Sequence, residues 1–209
     1  MTTDYLKDPA AITAKSFAII EQEAALESLP EVVRPIATRM IHTCGLTALT
    51  GDLAWSDGAV EKGRAALEAG APILADVTMV SAGITRARLP AGNKVLCTIN
   101  EAAVAGLAKM GNTTRSAAAL DLWRPFLRGA VVAIGNAPTA LFRLLEMIEA
   151  GADHPALVIA TPPGFVGAAE SKDALIGNMA GVPYIAVRGR LGGSAMAAAA
   201  VNALAKETI

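Results

Sequence analysis

Aromatic side chains make up only 4% of the 209 residues, and cysteine and histidine occur twice each. Two lone cysteines, Cys44 and Cys97, stand outside any CxxC spacing, which argues against a disulfide framework and against a structural zinc site. They read as small buried hydrophobes. An excess of one charge is missing too: 18 Lys plus Arg face 19 Asp plus Glu, so the chain has neither the basic footprint of a nucleic-acid binder nor an acidic tail. No apolar run approaches the ~20 residues that cross a bilayer, and the opening MTTDYLKDPA has no basic stretch followed by an apolar one. The expectation is a cytoplasmic protein whose partner is a small molecule or a second copy of itself, with no nucleic acid and no membrane. No internal repeat, low-complexity linker or break in composition marks a boundary, and residues 1–209 are expected to form one domain.

What the chain has is apolar residues, 53% of the total, with the excess in Ala and Gly that suits close packing of helices on a sheet. The first seventy residues carry helical spacing: Ile12, Ser16, Ile19, Ile20 and Glu23, then Val32, Val33, Ile36, Met40 and Ile41. Pro30 and Pro35 sit near the start of the second segment, where proline is tolerated best. A third helix is expected from about Ser56, an N-cap with Asp57 behind it, to Gly70 as a left-handed C-cap.

From Pro72 onward the pattern changes. Short apolar runs at Pro72–Val77, Lys94–Ile99, Ala130–Gly135, Leu157–Thr161 and Pro183–Val187 read as strands. Helical stretches near Asn100–Met110, Arg115–Leu127, Thr139–Ala150, Ala168–Met179 and Ser194–Lys206 separate and follow them. This alternation predicts an α/β fold: a doubly wound, mainly parallel sheet of about five strands, helices on both faces, flavodoxin-like, preceded by N-terminal helices. Ligands of such sheets bind beyond the carboxyl ends of the strands.

The loops expected there are polar and glycine-rich: Asp76–Thr78, Ala133–Thr139, Thr161–Phe165 and Arg188–Ser194. Each glycine and proline can be accounted for by a tight turn or a cap; four such loops at one edge raise the case for a site. The segment Thr161–Leu175, a turn leading into a helix, would offer backbone N–H groups to a carboxylate or phosphate. No GxGxxG opens a first βαβ unit, and Lys172 lacks P-loop spacing, which weakens a nucleotide site. His42 follows Arg39 by three residues on one helix face; it suits proton transfer or a structural role alike. His154, in a Gly-Ala-Asp-His-Pro turn, reads as structural. Arg86 and Arg115 sit among small polar residues, where a guanidinium can grip a carboxylate or simply face solvent.

Taken together, the blocks SFAII (16–20), RMIH (39–42), GAPIL (70–74), GITRARLP (83–90), VAIGNAPTAL (132–141), GFVGAAESK (164–172) and RGRLGGS (188–194) resemble the precorrin-8X methylmutase family over nearly the whole chain. The resemblance implies a cobalamin-pathway isomerase that moves a methyl group from C-11 to C-12 of a tetrapyrrole, giving hydrogenobyrinic acid, with no external methyl donor, metal or nucleotide cofactor. It places the catalytic histidine on His42, as a proton donor to the ring system. Substrate carboxylates would be met by Arg39, Arg86 and Arg115, and neutral hydrogen bonds would come from Ser16, Thr85, Asn136 and Thr139. A flat macrocycle is wider than the loop edge of one small sheet, so a homodimer is expected, with the partner walling the site. A non-catalytic tetrapyrrole carrier is the alternative expectation.

Overall fold

The computed structural model describes residues 5–177 and 181–205. It opens with helices α1 (Pro9–Glu23) and α2 (Arg34–Cys44), a short α3 (Leu49–Asp52), strand β1 (Leu53–Trp55) and α4 (Ala59–Glu68). Alternation then sets in: β2 (Ile73–Ala75), α5 (Thr78–Gly83), β3 (Val95–Leu96), α6 (Ala103–Met110), α7 (Arg115–Leu120), β4 (Val131–Ile134), α8 (Pro138–Glu149), β5 (Leu157–Ala160), α9 (Ala168–Ile176), β6 (Tyr184–Val187) and α10 (Ser194–Ala205). The expected helix ends at Met179 and Lys206 lie outside the described residues.

The sheet order is β1-β6-β5-β4-β2-β3. Every pairing is parallel except β1 with β6. Counted among the parallel strands alone, the order becomes 2-1-3-4-5, the flavodoxin arrangement, and the winding reverses between β2 and β4. Strands β4 and β5 are buried at every position, which is why they read in the sequence as unbroken apolar runs.

Period-two alternation divides the core. Ile73, Ala75, Val131, Ala133, Leu157, Ile159, Ile185 and Val187 point to the face covered by α1, α2, α4, α5 and α10. Leu74, Val132, Ile134, Val158, Ala160 and Ala186 point to the face covered by α8, α9 and the segment that follows α7. Helix α10 is buried almost all round, as expected of a helix that is apolar on every side. Its alanines let neighbouring backbones come close: a Cβ on Gly135 would lie 2.8 Å from both Ala197 Cβ and Ser194 Cα.

Four details differ from the sequence reading. Among the described residues the sheet has six strands, because Leu53–Trp55 pairs antiparallel with Tyr184–Val187. Ser56 is not the N-cap of α4: its N–H donates to Tyr184 O at 3.0 Å and its Oγ accepts from Tyr184 N at 3.1 Å, extending the β1–β6 ladder. Gly58, at φ 69°, turns the chain into the helix instead. The helix expected over Arg115–Leu127 stops at Leu120 and continues as a 3-10 turn over Asp121–Phe126, since Pro125 has no N–H for an α-helical bond. Cys44 and Cys97 are half-buried free thiols rather than fully buried ones. None of the described helices is long and apolar enough to cross a membrane.

Candidate active site

Two groups of polar side chains carry the candidate residues, and they sit on different layers. The first is built on α1 and α2. Ile36, Ala37, Met40 and Ile41 are buried, so helical spacing turns Arg39 and His42 outward. Gly45, left-handed at φ 71°, ends α2 directly after this turn and donates to Ile41 O at 2.7 Å.

His42 Nδ1 lies 2.8 Å from Ser16 Oγ on α1. The Phe17 ring meets the imidazole edge-on, with centroids 5.3 Å apart and an interplanar angle of 80°. Arg39 stacks on the same Phe17 ring, its guanidinium carbon 5.6 Å from the centroid. The imidazole is therefore held on one nitrogen and along one edge while remaining exposed, and Nε2 makes no hydrogen bond among the described residues.

On the same face of the sheet, the 3-10 turn Arg86–Arg88 follows α5. Its base is pinned by Asn202 of α10, whose Oδ1 accepts from Thr85 N at 2.8 Å and whose Nδ2 donates to Gly83 O at 2.9 Å. Arg86 Nη2 donates to Ser81 Oγ at 3.2 Å. Burial, and after it the charge of Arg88, pull the Arg39 guanidinium below its ordinary pKa.

The second group lies where the winding reverses. Asp76 follows β2 and is buried, and its carboxylate accepts three consecutive N–H groups, from Gly135, Asn136 and Ala137, each at 3.0 Å. Burial pushes this carboxyl above the usual range, and the three N–H donors oppose that shift. These are the amides at the entry to α8 that would otherwise greet a phosphate or carboxylate ligand. The chain's own side chain fills the nest. The sequence marks Asp76 only as the start of the polar loop Asp76–Thr78; its role in filling the nest comes from the fold.

Around this nest, Asn136 and Thr139 are exposed. Thr139 Oγ1 shares a 2.8 Å hydrogen bond with Thr114 Oγ1, which also caps α7 by accepting from Ala117 N. Arg115 Nη2 donates to Ile99 O at 2.9 Å, and Asn100 Nδ2 donates to Thr78 Oγ1 at 3.2 Å. Cys97 lies close by, its thiol pushed up by burial and by the neighbouring Asp76 charge.

The Thr161–Phe165 and Arg188–Ser194 loops are not open cradles. Gly193 N donates to Thr161 O at 2.7 Å, Thr161 Oγ1 to Gly193 O at 3.1 Å, and Gly164 N to Arg190 O at 3.1 Å. Lys172, fully buried, closes the set by donating from Nζ to Leu191 O at 2.8 Å. Within the segment Thr161–Leu175, where an anion site is expected, Gly164 gives its amide to the neighbouring loop. Phe165 and Val166 project from the segment, 83% and 89% exposed, with Arg190 over the Phe165 ring.

Ser16, Arg39, His42, Thr85 and Arg86 thus belong to the layer on one face of the sheet. Arg115, Asn136 and Thr139 belong to α7, α8 and the loop before α8, on the other face. No hydrogen bond joins the two groups among the described residues. A shallow depression of about 680 Å³, bordered by Lys62, Gly129, His154 and Pro183, opens at the opposite, amino-terminal edge of the strands. It takes no part in either group.

Fold and site define a flavodoxin-like α/β chain whose switch-point nest is closed by its own carboxylate and whose exposed imidazole is tethered to a serine hydroxyl. The profile of the precorrin-8X methylmutase family matches residues 11–207, and the chain belongs to that family. It is an isomerase, of the intramolecular transferase kind. It is 58% identical to the precorrin-8X methylmutase of Pseudomonas aeruginosa, over 98% of both chains. With the cobalt-precorrin-8 methylmutase of Priestia megaterium the identity is 36%, over 94% of this chain and 87% of the other. The crystal structure of precorrin-8X methylmutase from Thermus thermophilus superposes with a TM-score of 0.84 at 39% identity, covering 93% of this chain and 96% of that one.

Proposed function

We propose that the chain converts precorrin-8X into hydrogenobyrinic acid by moving one methyl group from C-11 to C-12, with His42 as the proton donor to the ring system. The observation that carries this reading is the Ser16–His42 pair: a 2.8 Å contact at Nδ1 on an otherwise exposed imidazole. In the imidazolium, Nδ1–H donates to Ser16 Oγ. Loss of the other proton leaves the Nδ1–H tautomer in the same hydrogen bond, so Nε2 gives the proton and later takes it back. Protonating the conjugated system draws electron density from the migration terminus. The C-11 to methyl bond breaks as the C-12 to methyl bond forms, with no change in overall oxidation state. The metal-free substrate is favoured by the relatives, 58% identity to the precorrin-8X enzyme against 36% to the cobalt-precorrin-8 enzyme.

Around the reacting ring, Arg39, Arg86 and Arg115 meet substrate carboxylates, and Ser16, Thr85, Asn136 and Thr139 add neutral hydrogen bonds that avoid burying more charge. Because the two groups lie on opposite faces of the sheet, the working unit is a homodimer in which the second copy brings its residues against the His42 group of the first. The exposed Phe165 and Val166 supply an apolar contact for it.

The test is His42→Ala with purified precorrin-8X, followed by visible absorption as the corrin chromophore forms. Turnover is lost while hydrogenobyrinic acid still binds, since most contacts are peripheral. Wild-type turnover in the variant overturns the acid role, and a wild-type protein that returns precorrin-8X unchanged is a carrier instead.

A further inference from the structure

From Met196 to Ala205, helix α10 is apolar and buried at every position except Asn202. Asparagine is a poorer helix former than the alanines around it, and its amide needs partners for both polar ends. It finds them where α5 ends: Nδ2 donates to Gly83 O at 2.9 Å, and Oδ1 accepts from Thr85 N at 2.8 Å. A backbone acceptor and a backbone donor together fix which way the amide faces. One turn earlier on the same helix face stands Ala198, and a Cβ on Gly83 would lie 2.7 Å from Ala198 Cβ. That close packing already joins α5 to α10. What the amide adds is a fixed direction for the chain that leaves α5.

That chain carries two residues of the proposed site, Thr85 and Arg86. Ile84 before them is buried, and Arg86 rests its guanidinium on Ser81 Oγ of α5 at 3.2 Å. Helix α2, which bears Arg39 and His42, packs on α10 as well, its Ile36, Ala37, Met40 and Ile41 in one core cluster with Ala198 and Val201. One buried helix thus supports both the His42 layer and the Thr85–Arg86 segment. We propose that Asn202 is a positioning residue of the isomerase: by holding Gly83 O and Thr85 N it fixes Thr85 and Arg86 on the helix that also carries α2, and so sets their spacing from His42. The inference rests on the isomerase reading above and adds to it a residue that touches no substrate. With that spacing loosened, a macrocycle gripped by Arg86 lies at the wrong distance from the proton donor, and a misplacement of about 1 Å costs on the order of 100-fold in rate.

The experiment is a mutant cycle on kcat/KM for purified precorrin-8X, followed by visible absorption and referred to the concentration of folded protein. Asn202→Ala lowers kcat/KM roughly 10- to 100-fold in the wild-type background. In a background that already carries Thr85→Ala and Arg86→Met, the same change costs less than about 3-fold, because the side chains it positions are gone. Asn202→Asp keeps the acceptor for Thr85 N, loses the donor to Gly83 O, and falls between wild type and Asn202→Ala. An amide that serves stability alone would lower the melting temperature and leave kcat/KM per folded molecule unmoved. Equal costs in the two backgrounds, or wild-type kcat/KM in folded Asn202→Ala, overturn the inference; if Asn202→Ala does not fold, the same two readings of Asn202→Asp decide. Wild-type turnover in the same preparation separates the two levels: an active enzyme with an additive cycle refutes this inference alone, and a wild-type protein that returns precorrin-8X unchanged refutes both.

Discussion

Replacing Lys172 with Met changes how stability depends on pH, and the size of that change follows from the structure. Lys172 is fully buried, with Nζ on Leu191 O at 2.8 Å. Burial lowers its pKa from 10.5 to about 8, against the pull of Asp173 and Asp52. For a base whose folded pKa is depressed, the unfolded chain binds more protons between the two values, so stability rises with pH from about 8 to 10.5. Below about 8 the burial penalty is present in full. The fall from 10.5 to about 8 is worth roughly 3 kcal/mol. Met removes that penalty but leaves the Leu191 carbonyl without its donor, a loss of about 1–3 kcal/mol. At pH 7 these effects nearly offset, and the pH dependence is what separates them. Urea unfolding of both proteins at intervals from pH 7 to 10.5 gives the test. Relative to the variant, the wild-type curve climbs by about 3 kcal/mol across the window, from near equality to the more stable of the two, with all other titrating groups cancelling in the difference. Two parallel curves would refute the assignment of a charged, desolvated ammonium to this position.

Two further perturbations test other parts of the argument. Asp76→Ala leaves the amides of Gly135, Asn136 and Ala137 without their shared acceptor; at about 1–3 kcal/mol for each buried orphan the variant loses at least about 3 kcal/mol, read as a melting temperature lower by roughly 10 °C. A melting point within about two degrees of wild type would mean that water satisfies the nest and that Asp76 does not hold it shut. Phe165→Asp with Val166→Asp places charge on the projecting loop tip; sedimentation should give a dimer for wild type and a monomer with lowered turnover for the variant, while a fully active wild-type monomer would contradict the two-chain site.

Much of the sheet was legible because its parallel strands are buried on both faces, so Val131–Ile134 and Leu157–Ala160 announce themselves without any periodicity. Leu53–Trp55 could not be read in this way. Three residues are too few to establish a pattern, and the strand exists because Tyr184–Val187, far along the chain, offers it an edge. The same division holds for the site. Arg39 and His42 are three apart on one helix, and their shared face is a local fact. The Ser16 contact with His42 spans 26 residues between two helices, and the resemblance to a family, rather than any spacing, brought Ser16 forward. Asp76 is visible only as the start of a polar loop, because its significance lies in the three amides it holds, which the fold decides and sequence does not display.

The filled nest also explains how a flavodoxin-like frame comes to serve a ligand without a phosphate. In an open sheet of this order the reversal between β2 and β4 exposes amides and a helix entrance to an anion. Asp76 fills that site from within, and three hydrogen bonds offset part of the cost of burying its carboxylate. With the switch point closed to a phosphate, the proposed reading gives anion recognition to separate arginines: Arg39 and Arg86 on one face, Arg115 on the other. Dispersed guanidiniums suit a broad ligand whose carboxylates surround a flat apolar ring, whereas a single nest suits a compact anion. On this argument Asp76→Ala should weaken substrate affinity only through the displacement of Asn136 and Thr139, and Arg86→Met should weaken it directly.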